Sequence, residues 1–260
     1  MLRFAANLSL LFHEVPFLQR FDLAAQAGFR GVECLFPYAY SPNDLAARLA
    51  DSGLQQVLFN TSPGDFEERG ERGIAGIPGR EAEFSASLAQ ALRYADALAC
   101  PRLHVLAGLI QHGAESATLI KNLQKAAPLA AAQGVELLIE PINSRDIPGY
   151  LINRTSEALS LIEQVGATNV RLQLDLYHRQ IVEGELIAAL EAYLPIAAHL
   201  QIAQPPDRGE PDSGEIDYRA VFGLLEQHSY QEWIGCEYKP RGGTLEGLAW
   251  VKHLGVSLGA

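Results

Sequence analysis

The stretch AAAQGVELLIE, residues 130–140, decides the fold that we predict for this chain. Its alanines continue a helical pattern, Gly134 is a typical helix stop, and the apolar run that follows predicts a short buried strand. Glu140 closes that strand at its carboxyl end. A helix that leads through one glycine into an apolar strand is typical of the βαβ units of parallel sheets.

The same alternation repeats along all 260 residues. Strands are predicted at 3–7, 31–36, 55–60, 102–108, 135–140, 170–175, 197–203 and 233–238. Helices are predicted near 15–27, 42–52, 81–99, 115–133, 154–166, 179–193, 217–229 and 244–254. Eight strand–helix units in a chain of this length match a (β/α)8 barrel. An open doubly wound sheet usually has a glycine-rich turn after its first strand, and NLSLLFHE stands there instead. We therefore predict a single TIM-barrel domain over residues 1–260.

The composition of the chain limits the kinds of partner and site that we expect. Apolar residues make up 48% of the chain and charged residues 20%, which is ordinary for a globular protein. The net charge of −11 opposes nucleic-acid binding. Cys34, Cys100 and Cys236 are far apart in apolar surroundings, so we expect packing residues and no disulfide or thiolate metal site. No apolar run reaches membrane-spanning length and the N-terminus does not fit a signal peptide, so we expect a cytoplasmic protein without membrane partners.

Four oxygen-bearing side chains stand at the carboxyl ends of successive predicted strands: Glu140, Asp175, Gln201 and Glu237. In a TIM barrel these strand ends meet at one mouth, where the active site is built. Carboxylates that lie close together raise each other's pKa unless a cation neutralises them. Oxygen ligands favour Mg²⁺ or Mn²⁺, with Co²⁺ as a further possibility. A metal with carboxylates suits proton transfer next to a carbonyl group.

Further polar residues surround this set. His178 follows Asp175 by one helical turn and either turns into the mouth or lies in solvent at a helix start. Lys239 and Arg208 follow strands 8 and 7, and each is a candidate for binding an anionic substrate. Asn7 and His104, at strands 1 and 4, either line the opposite wall or pack in the core.

The longest irregular stretch is residues 60–80, NTSPGDFEERGERGIAGIPGR, after the third predicted strand. A glycine-rich, charged loop of this length in a compact domain is typical of a lid or a binding loop. Arg72 and Arg80 within it are further candidates for binding an anionic substrate.

Several segments resemble the hydroxypyruvate isomerase family, which includes 2-oxo-tetronate isomerases and belongs to the xylose isomerase-like barrels. The resemblance spans nearly the whole chain and is carried by RFAANLSLLF (3–12), FRGVECLFPY (29–38), GERGIAGIPGRE (70–81), LLIEPIN (137–143), QLDLYH (173–178), HLQIA (199–203), DRGEPDSGEIDY (207–218) and IGCEYKPRGGT (234–244). The N-terminal segment, HVLAG and PPDR look closer to the four-carbon 2-oxo-tetronate branch, whereas EPIN and GERGIAGIPGR fit either branch.

The resemblance implies roles for individual residues. Glu140, Asp175, Gln201 and Glu237 match the family's metal ligands, and the two glutamates match its acid/base pair. His178 and Arg208 match a histidine after the strand-6 aspartate and an arginine after strand 7. Related ketose 3-epimerases usually have histidine at the position of Gln201. The glutamine in this chain therefore argues against epimerisation. Gln204 departs from the aspartate or small residue that the family would have in that loop, and this leaves the substrate open.

The resulting hypothesis is a metal-dependent aldose–ketose isomerase that acts on a small hydroxy-oxo acid. It would interconvert hydroxypyruvate and tartronate semialdehyde, or 2-oxo-tetronate and 3-oxo-tetronate, through an enediolate. Which glutamate takes the first proton stays open, and so does the oligomeric state, with a homodimer or homotetramer as possibilities. The alternatives on the same barrel are a ketose 3-epimerase, a keto-inositol-type dehydratase, a nuclease of the endonuclease IV type and a non-catalytic sugar-acid binding protein.

Overall fold

A computed structural model describes residues 1–259, and its strands close into a barrel. The eight strands are β1 (Arg3–Asn7), β2 (Gly31–Cys34), β3 (Gln55–Asn60), β4 (Arg102–His104), β5 (Glu136–Ile139), β6 (Val170–Asp175), β7 (Ala197–Ile202) and β8 (Trp233–Cys236). Each strand pairs in parallel with the next one along the chain, and β8 pairs with β1. This order confirms the predicted (β/α)8 barrel.

Helices lie between consecutive strands and form the outer layer. They are α1 (Arg20–Gln26), α2 (Pro42–Ser52), α3 (Glu81–Ala97), α4 (Ser116–Ala131), α5 (Thr155–Val165), α6 (Leu176–Val182), α7 (Leu186–Tyr193), α8 (Tyr218–Gln227), α9 (Thr244–Gly247) and α10 (Ala249–Leu254). Short 3-10 turns add Phe17–Gln19 and Ile110–His112. Within residues 1–259, none of the helices has both the length and the apolar character needed to cross a membrane.

The sixth helical unit differs from the prediction of one helix over 179–193. The backbone is left-handed at Gly184 and Glu185, and this interrupts the helix between α6 and α7. The helix also begins earlier than expected, because the carboxylate of Asp175 accepts a hydrogen bond of 2.8 Å from the amide of Tyr177 and caps α6. As a result, His178 lies in the first turn of α6, directly beside the end of β6.

The amino ends of the strands carry an ion-pair cluster, defined by Arg102, Glu136, Arg171 and Glu232. Arg102 Nε lies 3.1 Å from Glu136 Oε2, and Arg171 Nη1 lies 2.9 Å from Glu136 Oε1. The guanidinium of Arg102 also pairs with the Glu232 carboxylate. Two arginines and two glutamates pair with one another here, so the charges of this cluster are balanced.

The loop over residues 60–80 is ordered around one buried acid. Glu71 accepts hydrogen bonds from Arg80 Nη1 at 2.6 Å and from the amide of Asp65 at 2.7 Å. Gly73 has a φ of 109° and bridges to Ala107 after β4, with so little room that a Cβ would overlap the Leu106 backbone. Arg80 therefore anchors the loop, and the loop itself packs over the carboxyl end of β4.

Candidate active site

Three buried carboxylates meet at the carboxyl end of the barrel. Glu140 directly follows β5, Asp175 ends β6 and Glu237 directly follows β8, and these residues are 5%, 2% and 6% exposed. In TIM barrels the reactive side chains lie at the carboxyl ends of the strands. The sequence predicted these positions, and the structure brings the three side chains together.

Arg208 bridges two of the carboxylates. Its Nη2 lies 3.1 Å from Asp175 Oδ2 and 2.6 Å from Glu237 Oε2, and its Nε donates to the Glu237 carbonyl oxygen at 3.1 Å. The guanidinium carbon also lies 5.0 Å from the centre of the Tyr177 ring. A fourth buried carboxylate, Glu33 on β2, lies deeper in the barrel. Of these four carboxylates only Asp175 and Glu237 pair with the Arg208 guanidinium, so this end of the barrel holds more acidic than basic groups.

The burial and crowding of these carboxylates raise the pKa values of the three residues at the strand ends. Burial, followed by repulsion from Glu237 and Asp175, raises the pKa of Glu140 well above its ordinary value. Burial raises the pKa of Glu237 to about 8 although Arg208 opposes the rise. The pKa of Asp175 rises to about 6 for the same reason, with Arg208 and the Tyr177 amide opposing. At pH 7 Glu237 therefore retains its proton and Asp175 is largely ionised, and a bound cation would favour the ionised form of all three groups.

The donor set fits a hard divalent cation. One oxygen of Glu140, one oxygen of Asp175 and one ring nitrogen of His178 lie within 4.8 Å of one another, and the two oxygens are the candidate ligands because the His178 nitrogen that faces them, Nε2, carries a proton. No side chain or backbone group among residues 1–259 forms a hydrogen bond with the buried oxygen Oε1 of Glu140. A buried carboxylate oxygen without a partner is rare, and an ion is one of its regular explanations. Oxygen ligands and excess negative charge favour Mg²⁺ or Mn²⁺.

His178 presents a proton to this cluster. Asn143 Oδ1 accepts from the Asp146 amide, so Asn143 Nδ2 faces His178 Nδ1, at 2.6 Å. The Asn143 amide points at the same nitrogen from 3.5 Å. Two donors mark Nδ1 as the acceptor, which leaves the proton on Nε2, 3.5 Å from Asp175 Oδ2. Burial holds the pKa of His178 well below its ordinary value. The neutral ring is therefore a donor toward the mouth.

Gln201 lies level with Asp175 on β6 and with Gly235 on β8, two residues before Glu237. Its Nε2 donates to Glu33 Oε1 at 2.8 Å, and its Oε1 accepts from Gln173 Nε2 at 2.7 Å. The carbonyl oxygen keeps a second lone pair. Its role as a metal ligand stays a prediction.

A cleft of about 150 Å³ opens above the carboxylates. His104 and Arg72 line it, together with Glu140, His178 and Arg208. His104 Nδ1 lies 3.4 Å from Glu140 Oε2, and its Nε2 is buried without a hydrogen-bond partner in the described part of the chain. Burial lowers the pKa of His104 to about 3, so the ring is neutral.

Two of the predicted substrate residues lie away from this cleft. Asn7 is buried beneath the carboxylates, where Nδ2 donates to Glu237 Oε1 at 3.3 Å. Lys239 is exposed and does not line the cleft, because the chain has left the barrel at this point and only its backbone amide contacts Arg208. The geometry gives no support to Lys239 as a substrate residue.

Sequence reasoning missed Glu33, His199 and Gln173. All three are buried and point into the barrel, and Gln173 lines the cleft. A signal for Glu33 was available: the segment GVECLF places a carboxylate inside a buried strand, as WIGCEY does for Glu237. Buried charge in a strand indicates a partner or a function.

Comparison with known proteins agrees with the fold and identifies the family. A family model described as the xylose isomerase-like TIM barrel matches residues 21–254. The 2-oxo-tetronate isomerase of Cupriavidus necator is 50% identical, with 96% of this chain and 97% of that protein covered. The hydroxypyruvate isomerase of Escherichia coli strain K12 is 48% identical, with 96% and 98% covered.

Solved structures agree as well. A crystal structure titled as a family 2 AP endonuclease from Brucella melitensis superposes with a TM-score of 0.94 at 49% identity, covering 97% of this chain and 99% of that one. A D-psicose 3-epimerase from Clostridium cellulolyticum H10 gives 0.76 at 20% identity over 97% and 89%, which shows the fold alone. The chain is an isomerase that belongs to the xylose isomerase-like TIM barrels and, within them, to the hydroxypyruvate isomerase family with its 2-oxo-tetronate isomerases.

Proposed function

We propose that this chain is a metal-dependent aldose–ketose isomerase for a small hydroxy-oxo acid, either hydroxypyruvate or 2-oxo-tetronate. The observation that carries the proposal is the pair of buried glutamates, Glu140 and Glu237, whose pKa values are both raised at the floor of one cleft. Two buried carboxyl groups with raised pKa values suit proton removal from one carbon and proton return to its neighbour. The names of the two bacterial relatives support the substrate class.

A divalent ion would be held by Glu140, Asp175, Gln201 and Glu237. When bound, such an ion polarises a carbonyl group and stabilises negative charge on oxygen. The protein's own contribution is to keep the glutamates buried and close to the substrate carbon atoms. One glutamate removes the proton next to the carbonyl group, and the same or the other glutamate returns a proton to the adjacent carbon.

Two neutral histidines would orient the substrate oxygens. His178 presents an Nε2–H donor beside Asp175. The carboxylate of Glu140 beside His104 Nδ1 favours a proton there, which leaves His104 Nε2 as a buried acceptor on the cleft wall. A donor and an acceptor that line the same cleft suit a carbonyl oxygen and a hydroxyl group on adjacent carbons.

Arg72 would bind the substrate carboxylate. Of the two arginines that line the cleft, Arg208 is already paired with Asp175 and Glu237, whereas Arg72 forms no ion pair within residues 1–259. Its guanidinium lies 4.0 Å from the Phe66 ring centre and donates to the Glu71 carbonyl oxygen. This leaves further donors free for a carboxylate, and the stack on Phe66 holds the planar group in place.

Replacing Arg72 by glutamine is expected to raise KM for the acid substrate by about 10- to 100-fold, since a charge-assisted contact is lost. The kcat should change much less, because Arg72 does not touch the reacting carbons. Arg69→Gln, an exposed arginine of the same loop that pairs with Asp65, is the matched control and should leave KM unchanged. Equal KM for Arg72→Gln and the wild type would assign the carboxylate to another residue.

The reaction class is tested by NMR in D2O with Mg²⁺ or Mn²⁺ and a panel of hydroxypyruvate, 2-oxo-tetronate and neutral ketoses. We expect one of the acids to take up deuterium next to its carbonyl group and to convert to its isomer. Inversion of a ketose would indicate an epimerase, and loss of water a dehydratase. Binding without exchange would indicate a binding protein, and cleavage of abasic DNA a nuclease. Each of these four results contradicts the proposal.

A further inference from the structure

Glu33 is a buried carboxylate that the proposed reaction does not use. It lies on β2, level with Asn7 on β1, and points into the barrel. Three side chains surround it: Asn7 Nδ2 and Gln201 Nε2 donate to Oε1 at 2.9 and 2.8 Å, and His199 Nε2 lies 2.6 Å from Oε2. A buried charge is tolerated only with such partners, and here all three come from other strands.

The barrel leaves dedicated space for this carboxylate. Gly235 on β8 lies directly beside it, and a Cβ at that position would overlap both Glu33 oxygens. Gly235 is not among the described residues that have a positive φ, so its backbone conformation does not itself require glycine. The glycine is therefore explained by the neighbouring carboxylate and not by a turn.

We propose that Glu33 is a positioning residue that fixes the side-chain orientation of Gln201 and so presents the Gln201 carbonyl oxygen as a metal ligand. An ionised carboxylate only accepts hydrogen bonds, so the amide nitrogen of Gln201 has to face it. The carbonyl oxygen is then forced to the other side. The proposal rests on the metal-dependent function inferred above.

The orientation of the Gln201 side chain also determines the orientation of a second side-chain amide. Because Gln201 Oε1 is an acceptor, the group of Gln173 that faces it has to be the Nε2 donor, at 2.7 Å. The Gln173 carbonyl oxygen is left buried without a hydrogen-bond partner in the described chain, in a residue that lines the cleft. One carboxylate thus sets the orientation of two amides in turn, and it leaves Gln173 Oε1 as a buried acceptor.

Asn7 links Glu33 to the reacting end of the site. Its Oδ1 accepts from the Ser9 amide, so Nδ2 is the group that donates to Glu33. The same nitrogen lies 3.3 Å from Glu237 Oε1. Glu33 therefore supports Glu237 through one intermediate residue and Gln201 through direct contact, and outer contacts of this kind orient metal ligands in proteins.

The test is Glu33→Gln, which keeps the shape of the side chain but offers Gln201 both a donor and an acceptor. Mn²⁺ titration of the metal-free protein by calorimetry is expected to show a Kd about 10- to 100-fold weaker than in the wild type. The melting temperature of each metal-free variant shows whether it is folded. Glu136→Gln, at a half-buried glutamate that forms ion pairs at the opposite end of the barrel, is the control and should bind Mn²⁺ as the wild type does.

A double-mutant cycle separates positioning from a general loss of packing. If Glu33 acts through Gln201, Glu33→Gln should have little further effect on Mn²⁺ affinity in a chain that already carries Gln201→Ala. Gly235→Ala, which retains the charge but displaces the carboxylate, should weaken Mn²⁺ binding in the same direction. Unchanged affinity in folded Glu33→Gln or Gly235→Ala, or additive effects in the cycle, overturns the inference. Absence of Mn²⁺ binding by the wild type would instead remove the metal from the proposed function, and this inference with it.

Discussion

Glu237→Gln is expected to lower kcat for isomerisation of the acid substrate by about 100- to 10,000-fold, and Glu140→Gln should do the same. A glutamine keeps the volume and one carbonyl oxygen but cannot take or return a proton. Both glutamates are buried at the cleft floor with raised pKa values, which is the environment of a proton-transfer group. Turnover is measured from the aldehyde and ketone forms by NMR.

Comparison of the two variants also addresses the order of proton transfer. A variant that still exchanges deuterium into the starting acid but forms no isomer has lost the group that returns the proton. A variant without any exchange has lost the group that removes it. Glu136→Gln in the ion-pair cluster is the control for loss of an ion-paired glutamate away from the site, and it should keep turnover near the wild-type level. Near wild-type turnover in either site variant contradicts the acid/base assignment.

Removal of divalent metal is expected to abolish isomerisation, and Mg²⁺ or Mn²⁺ should restore it. Binding should also stabilise the fold, because the ion relieves repulsion among Glu140, Asp175 and Glu237. At a free metal concentration about 100 times Kd the gain is about 2.7 kcal/mol, or roughly 5–10 °C in melting temperature. Full activity in chelator-treated protein that contains no metal by elemental analysis contradicts the metal requirement.

This metal effect should depend on pH in a defined direction. The metal-free site has a pKa of about 8 at Glu237 and about 6 at Asp175. Metal therefore displaces a proton from Glu237 below about pH 8 and from Asp175 as well below about pH 6. We expect Kd for Mn²⁺ to weaken by at least about tenfold per pH unit below pH 8, because Glu140, whose pKa is also raised, has to release its proton as well, and more steeply below pH 6.

The stability of the metal-free chain decreases as the pH rises, whereas its affinity for metal increases. Both pKa values are raised above the ordinary 3.8 and 4.5. The folded state therefore binds more protons than the unfolded state between about pH 4 and about pH 8. The free energy of unfolding of the metal-free chain falls as the pH rises through that window. The melting-temperature gap between metal-loaded and metal-free protein should therefore widen from pH 6 to pH 8.

The barrel and the strand-end carboxylates could be predicted because each depends on local pattern. Gly134 marks a helix stop, and Glu140 follows an apolar strand, without any knowledge of distant residues. The Glu33–His199 contact could not be predicted in this way. It joins residues on β2 and β7, which face each other only after the barrel has closed, and the strand pairs of β2 with β3 and of β6 with β7 contain register shifts.

Other details depended on single backbone conformations. The left-handed residues Gly184 and Glu185 divide one predicted helix into two, and a left-handed Arg208 with a φ of 57° turns its side chain onto two carboxylates. A non-glycine residue in this conformation has no clear sequence signature. Lys239 shows the reverse case. Its position just after Glu237 made it a candidate for binding the substrate, but β8 ends at Cys236 and the Lys239 side chain is exposed.

The loop over residues 60–80 has a consequence for how such an isomerase changes over evolutionary time. Its fold is held by Glu71 and Arg80, while its neighbour Arg72 reaches the cleft. With Arg72 as the carboxylate-binding group, substrate choice resides on a peripheral segment and proton transfer on the strand ends. Insertions or substitutions near Arg72 could then retune chain-length preference while the inherited chemistry stays intact. A laboratory search for new substrates should randomise this loop before any strand.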